Sequence, residues 1–407
     1  MPALNAARTS CRPMLIGDAL YFWHKGRWSS DPRELDRLLT GIDVTLIRSE
    51  RAELASTLSN LAPTGRLSDP RFVQFENCVL DVLSGRSSPS DPGLVVPNVI
   101  PHAWDPGARH DGVEDFLDSI SCGEGDVRAL VEEMLGACLS RARIPCIWVL
   151  AGMARCSGGD AANGKSTLCE LARALVGAEN SVELDVHDLG RSFMTCTLRD
   201  KLLAVSSDSS SAPVPPASLS VLKKIPTQDV IMADVKFSAP VRFRPYATVI
   251  LAANRIPGFI SDEGLKRRTR LIPMRAKFEE GLRDPLPELE TPEAMSALLV
   301  HAVAGLRRLL DRGPTECPGG SEAVEALAVL SSPVAQWVDD ANMDPKALHG
   351  RQASSVYSNY ALWSEGSGTR ALPKAEFERE LSSLFPSLEV RKCRHAGGTP
   401  TRRWMNS

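Results

Sequence analysis

The run Gly159, Asp160, Ala161, Ala162, Asn163, Gly164, Lys165, Ser166, followed by Thr167, fits the pattern G-x4-G-K-[ST]. Glycines let backbone N–H groups wrap a phosphate, and the N-terminus of the helix that follows adds partial positive charge. Lys165 would then reach β- and γ-phosphates while the Ser166 hydroxyl coordinates Mg²⁺. By chance the pattern arises in on the order of one chain in a hundred of this size. Such a loop needs an acid at the end of a neighbouring strand to hold the metal and orient water. Asp208, at the end of LLAVSSD, is placed to supply it, although apolar strands often end in Ser/Asp turns. Asn254 closes a third apolar run, where its carboxamide can bond a γ-phosphate or an attacking water. Downstream lies Lys266-Arg267-Arg268-Thr269-Arg270. Such a run is usually a solvated face, but here it is placed to stabilise charge on a transferring phosphoryl group. Asp185-Val186-His187-Asp188 has the residue types of a metal cluster, yet no further ligand set accompanies it, and an exposed loop explains it.

These groups must be carried by strands and helices. Residues 146–150 (CIWVL), 202–205 (LLAV) and 248–252 (TVILA) predict three strands that alternate with helices, the first being residues 168–176 closed by Gly177. That alternation implies an α/β layer with a mainly parallel sheet. Upstream, Leu20–Trp23 and Arg27-Trp28 flank a turn at His24-Lys25-Gly26. Asp31-Pro32 opens one short helix and Ser49 could cap another. Between Asp126 and Arg141 the apolar residues recur every three or four positions, the clearest amphipathic helix in the chain. Residues 209–217 (SSSAPVPPA) predict a loop, and 281–293 an acidic surface connection. After the Gly-Pro and Pro-Gly-Gly breaks at 313–320, helices around 333–340, 353–363 and 374–384 precede an extended pair at 388–393 and 401–405, which suits a winged-helix module. Three regions result: 1–140, 141–312 and 325–407.

The bulk properties narrow the function. At 407 residues the chain exceeds one compact core, and 43% hydrophobic with 24% charged residues is ordinary globular composition. Forty-seven Lys+Arg against 50 Asp+Glu give a net charge of −3, which excludes a wholesale basic nucleic-acid coat but not local patches. Ten cysteines without a CxxC pair suggest reduced buried thiols rather than a zinc ribbon or disulfide framework. No secretory signal opens the chain, and the longest apolar stretch, 144–154, is too short to span a bilayer, so a cytoplasmic protein is expected, with no membrane partner.

Taken in order, NGKST, KLLAVSSD, VLKK, FRPYATVILAANRIP and DEGLKRRTRLIP resemble the superfamily 3 helicases, in the branch found in phage and plasmid primase–helicases and poxvirus replication NTPases. Phe75–Gly85 (FENCVLDVLSG) resembles the opening of the helical domain before that motor, and Val334–Trp337, Tyr357–Trp363 and Phe377 resemble its C-terminal winged helix. The resemblance covers residues 70–407. It implies an α/β P-loop NTPase, an AAA+-like motor, with an N-terminal mainly helical domain and a C-terminal winged-helix domain. Gly159, Gly164, Lys165 and Ser166 match the Walker A loop, Asp208 the Walker B acid, Asn254 the polar sensor, and Arg267 and Arg268 the arginine-finger pair. Lys223 and Lys224 match the lysine before a glycine-rich turn, Asp229 the acid after it, and Lys236 falls on the hairpin that points toward DNA. Residues 151–158 intervene between strand and loop, Ser207 stands where many relatives have an acid, and Pro226-Thr227-Gln228 replaces the glycine-rich turn.

The implied function is an ATP- and Mg²⁺-dependent, ring-forming DNA helicase, a hexamer, replicating a phage, prophage or plasmid in a bacterial host cytoplasm on single-stranded and forked DNA. The alternatives are an ATP-regulated origin-binding or helicase-loading factor and a degenerate prophage remnant. Seventy residues cannot hold a primase fold, so a separate primase is an expected partner. DNA contacts are expected from Lys236 and from the C-terminal cluster Arg391, Lys392, Arg394, Arg402 and Arg403, for which a solvated tail is the bland alternative.

Overall fold

A computed structural model describes residues 2–152, 163–207, 214–236, 240–253, 259, 262–276, 278, 284–316, 332–341, 343–367, 369–393 and 400–406. The chain opens with helix α1 (Pro2–Cys11), which no turn or periodicity signal had announced, then strands β1 (Met14–Ile16), β2 (Ala19–His24) and β3 (Arg27–Ser29) in an antiparallel sheet. Helix α2 (Pro32–Ile42) starts as its sequence dictates: Asp31 accepts from the Arg33 N–H, a proline fills the first turn, and Leu35, Leu38 and Leu39 face inward. Helix α3 (Arg48–Leu61) begins one residue before Ser49, with Ile47 at the N-cap and the Glu50 carboxylate reaching back to the Ile47 N–H at 2.9 Å.

A four-stranded sheet follows, of β4 (Phe72–Phe75), β5 (Val79–Asp81), β6 (Arg86–Ser88) and β7 (Val99–Ile100), then helices α4 (Asp111–Ser121) and α5 (Gly125–Ala137). The region before the five-stranded sheet is therefore mixed α and β. The five-stranded sheet contains β8 (Ile147–Gly152), β9 (Ser181–Glu183), β10 (Leu203–Ser206), β13 (Thr248–Ala253) and β14 (Thr269–Met274), reached past helices α6 (Lys165–Val176), α7 (Pro216–Lys224) and α8 (Glu263–Lys266) and a hairpin of β11 (Ile231–Ala233) and β12 (Val241–Phe243). Its order is β14-β8-β13-β10-β9 and every pairing is parallel. Both faces are covered, which is why its strands read as continuous apolar runs. Trp148, Leu150, Val205 and Ile250 enter one core with α5 and α6, while Ile147, Val149, Ala204 and Leu251 enter the other with α7.

Helices α9 (Leu286–Leu289) and α10 (Pro292–Arg312) return to α5, so one apolar core runs from Val73 to Leu309. Residues 281–293 thus end inside helical structure, with Leu289 buried. Helices α5 and α10 meet backbone to backbone at two glycines: a Cβ on Gly305 would lie 2.1 Å from the Glu132 carbonyl oxygen, and one on Gly136 2.4 Å from that of Ala302. Charged groups flank the contact in an interlocked set. Glu132 accepts from Arg308 Nη2 at 2.7 Å and meets His301 Nδ1 at 3.2 Å, whose Nε2 meets Glu114 at 2.9 Å. Glu133 is fully buried and is bonded by Arg308 Nε at 3.3 Å and by the Thr315 N–H and hydroxyl at 2.8 and 2.6 Å.

The last unit holds α11 (Pro333–Asp340), α12 (Pro345–Leu348), α13 (Ala353–Gly366), α14 (Lys374–Leu384) and the antiparallel ribbon β15 (Leu388–Cys393)–β16 (Thr401–Asn406) around Trp337, Tyr360, Phe377 and Trp404. Among the described residues no helix is long and apolar enough to cross a membrane. Eight described cysteines are free, and five of them are buried.

Candidate functional site

In a parallel sheet all carboxyl ends share one edge, and that edge is where such folds place ligands. Strands β8, β13 and β10 are neighbours, with Ala151 beside Ala253, and Leu251 beside both Val149 and Ser206. The three segments singled out for chemistry leave from this edge. The glycine-rich loop follows β8, Asn254 follows Ala253, and Asp208 stands two residues after Ser206. Asp208, Asn254, Gly159, Asp160, Ala161 and Ala162 lie outside the described residues, and so does Arg394.

The second half of the loop is described. Gly164 is the N-cap of α6 at φ +78°, a left-handed conformation that suits glycine, and a Cβ there would press on Ile120 and Phe278 at 3.2 Å. No side chain caps α6 and its first turn carries no acid, so its leading N–H groups point out of the helix. Lys165 is buried and donates from Nζ to Asn163 Oδ1 at 2.7 Å, with Asn163 itself buried. Ser166 is exposed and Thr167 half-buried. The role of Asn163 in holding the lysine, and of Phe278 and Ile120 in closing on the glycine, had no signal in the motif.

Arg267 and Arg268 lie elsewhere. They follow α8, and the Arg268 carbonyl accepts from the Ile147 N–H at 2.9 Å just before β14 begins beside Ile147. They therefore stand at the amino edge. The six-residue strand β8 separates them from the loop by about 17–20 Å at roughly 3.3 Å per residue. Arg267 is exposed, while Arg268 is half-buried with Nη1 3.3 Å from the Gly264 carbonyl. Lys223, on α7, donates to Asp262 at 2.6 Å, and Asp262 caps α8 by accepting from the Gly264 and Leu265 N–H groups. The Lys223 bond and those backbone donors outweigh desolvation and hold the Asp262 carboxyl below its ordinary range. Lys224 ends α7 and Asp229 accepts from the Thr227 hydroxyl at 2.6 Å.

Lys236 is exposed beyond β11, at the turn of the hairpin, and Met232 on the same strand is 68% exposed. On the C-terminal ribbon Arg391 faces Arg403 and Lys392 faces Arg402 across the strands. Three of these charges are engaged within the protein: Arg391 pairs with Glu389, Arg402 with Glu378 at 2.7 Å, and Arg403 donates to the Gly350 carbonyl at 2.6 Å. Asp185 meets His187 at 3.5 Å and Asp188 pairs with Arg191 at 2.9 Å. Among the described residues no group of three His, Cys, Asp or Glu side chains could hold a metal ion.

A family model described as a family of unknown function, DUF5906, matches residues 157–268, from the glycine-rich loop to the arginine pair. No curated protein matches the chain. Among solved structures the chain is similar to the A form of the apo C-terminal region of NrS-1, at 14% identity and a TM-score of 0.49, covering 98% of this chain and 97% of that one. A second such structure, of residues 305–718, gives 12% identity and 0.49 with coverage of 100% and 99%, and a third gives 13% and 0.46 with the same coverage. The fold is α/β with a five-stranded parallel sheet, compatible with that of P-loop NTPases.

Proposed function

We propose that the chain is an ATP-hydrolysing DNA motor of the superfamily 3 kind, an AAA+-like ring helicase of phage, prophage or plasmid replication, with the unit after residue 332 serving as a winged-helix DNA-binding domain. The observation that carries this reading is the sheet order: β8, β13 and β10 stand side by side, so the loop, Asn254 and Asp208 all depart from one edge. The described part of the loop fits a nucleoside triphosphate. The uncapped start of α6 offers backbone donors and positive potential, and Lys165 sits in its first turn with its charge turned toward Asn163. Lys165 would hold the β- and γ-phosphates, Ser166 and Asp208 the Mg²⁺, and Asn254 would orient the attacking water. The metal supplies charge neutralisation on the phosphate oxygens.

The placement of Arg267 and Arg268 supports a ring. An arginine at the amino edge cannot span the sheet to its own loop, so a finger built from either one serves the site of an adjacent subunit. Lys236 on the β11–β12 hairpin would meet the DNA backbone. The experiment is strand displacement with ATPase measured on forked and blunt DNA. A helicase unwinds forked DNA with DNA-stimulated hydrolysis. Hydrolysis and DNA binding without displacement would replace this reading with a loading or origin-remodelling factor, and absence of hydrolysis would overturn it.

A further inference from the structure

A cavity of about 640 Å³ opens at the amino edge of the five-stranded sheet. Its inner wall is made by the segments that lead into the three central strands: Arg141 and Arg143 before β8, Arg199 and Asp200 before β10, Arg244 and Tyr246 before β13. The outer wall comes from the β1–β2 turn and β2, through Asp18 and Tyr21, and from Leu67, Ser68 and Pro70, while Arg242 and Phe243 of β12 complete the rim. It lies across the sheet from the start of α6, so nothing in it depends on the P-loop reading.

The charge in this cavity is lopsided. Five guanidinium groups line it against two carboxylates. Asp200 is already committed: it accepts from the Tyr21 hydroxyl at 2.9 Å and the Ser30 hydroxyl at 2.8 Å and pairs with Arg199 at 3.6 Å. Arg141 is only 7% exposed, and among the described residues no carboxylate lies within the 4.0 Å of an ion pair. Its guanidinium makes one described bond, from Nη2 to the Ser68 carbonyl at 3.3 Å, although such a group carries five N–H donors. Burial pulls the Arg141 guanidinium below its ordinary value and outweighs the opposing influence of Tyr246, Tyr21 and the Asp69 carboxylate, which stands beyond ion-pair distance. Arginines this buried are normally paired, and a planar fork with spare donors matches a phosphate.

The remaining walls are apolar and aromatic. Tyr21, Phe243 and Tyr246 line the space, and the two phenols are pinned from behind, Tyr21 on Asp200 and Tyr246 on Asn98 Oδ1 at 3.0 Å. Phe243 and Tyr246 are half-buried and give the cavity aromatic surface against which a base can pack, while Tyr21 is only 4% exposed. The volume falls in the roughly 300–1,000 Å³ range of small-ligand pockets and leaves room for much more than an inorganic anion. We propose that this cavity binds a nucleoside phosphate, free or as the 5′-phosphorylated end of a nucleic-acid strand, with Arg141 on the phosphate and the aromatic wall against the base.

The test is titration calorimetry of the full chain with dAMP, with a 5′-phosphorylated oligonucleotide and with the same oligonucleotide ending in a 5′-hydroxyl. Binding of dAMP or of the phosphorylated strand should weaken at least tenfold in Arg141→Met. Should that variant not fold, the double variant Arg143→Glu/Arg242→Glu, whose side chains are exposed, should give the same loss. Binding by dAMP identifies the free nucleotide as ligand, and binding only by the phosphorylated oligonucleotide identifies the strand end. The proposal is overturned if neither binds, if the arginine variants bind as tightly as the parent, or if dAMP fails while the two oligonucleotides bind equally.

Discussion

Lys165 is the residue on which the proposed chemistry turns, and its surroundings set what its removal should do. Its charge is held in a buried pocket by the Asn163 carboxamide oxygen, poised over the uncapped start of α6. A flexible surface lysine would have to be ordered on each binding event, whereas this one is already fixed. Lys165→Ala gives up the bond to Asn163 but also the cost of burying a cation, so the thermal midpoint should stay within a few degrees of the parent. ATP hydrolysis should fall by at least a hundredfold, because the phosphate-bridging charge is gone. A phosphate-release assay run beside a thermal melt checks both halves. A variant that melts normally and hydrolyses ATP at the parental rate would remove Lys165 from the chemistry.

At the scale of elements, the α5–α10 contact is the most constrained feature. A methyl on Gly305 would collide with backbone atoms of Glu132, and backbone cannot give way as a flexible side chain can. Gly305→Ala should therefore destabilise by about 1–3 kcal/mol, the usual cost of overpacking. Gly366→Ala, with nothing within 4 Å of the added methyl, should be neutral or slightly stabilising. Urea midpoints of the two variants test the contrast, and equal midpoints would refute the close approach. The adjacent charges add a pH dependence. The Arg128 bond lowers the pKa of Glu114; at Glu132 burial pushes upward, but the bonds from His301 and Arg308 prevail and lower it as well. A carboxyl depressed by folding contributes stability above its unfolded value and loses it as pH falls through the folded value. The melting temperature should thus decline as pH drops below the ordinary glutamate value of 4.5, and Glu132→Gln should flatten that decline. An unchanged slope in the variant would place the acid sensitivity elsewhere.

These elements were unevenly legible in the sequence. Strands β8, β10 and β13 announced themselves because burial on both faces demands unbroken apolar runs. Strand β14 was hidden behind the Lys-Arg run, since Arg270 and Pro273 interrupt the pattern and its pairing with β8 is a long-range fact. The three residues of β9 carry too little signal for any periodicity. Helix α10 had its start written in Thr291-Pro292, a capping threonine followed by a first-turn proline, inside a stretch whose acidic and proline content reads as connection. For the proposed site, the position of Lys165 between an apolar strand and a helix was readable from the sequence. The opposite placement of Arg267 and Arg268 was not, because it follows from where β14 inserts. The five arginines of the amino-edge cavity come from three segments, 141–143, 199 and 242–244, that only the fold brings together.

For the whole molecule, the two edges of the sheet make a prediction about assembly. If Arg268 completes a neighbour's site, Arg268→Ala and Lys165→Ala subunits should each be inactive alone. Mixed, they should recover part of the ATPase, since some interfaces pair an intact Lys165 with an intact Arg268. Losing an arginine finger typically costs on the order of a thousandfold or more in rate, so modest rescue stands far above background. No rescue in mixed oligomers verified by differential tagging would show that Arg268 does not act between subunits.

The Glu133 pairing also bears on how the chain comes into being. Its partners Arg308 and Thr315 stand 175 and 182 residues downstream. At roughly 5–20 residues per second, a ribosome needs about 9–35 s after Glu133 to deliver Arg308. Throughout that interval the whole parallel sheet is being synthesised while α5 still lacks the helix that buries its charge and fits its glycine. The unit built on that sheet then closes late, with its last long helix acting as the latch, and every strand made before it waits on an incomplete core.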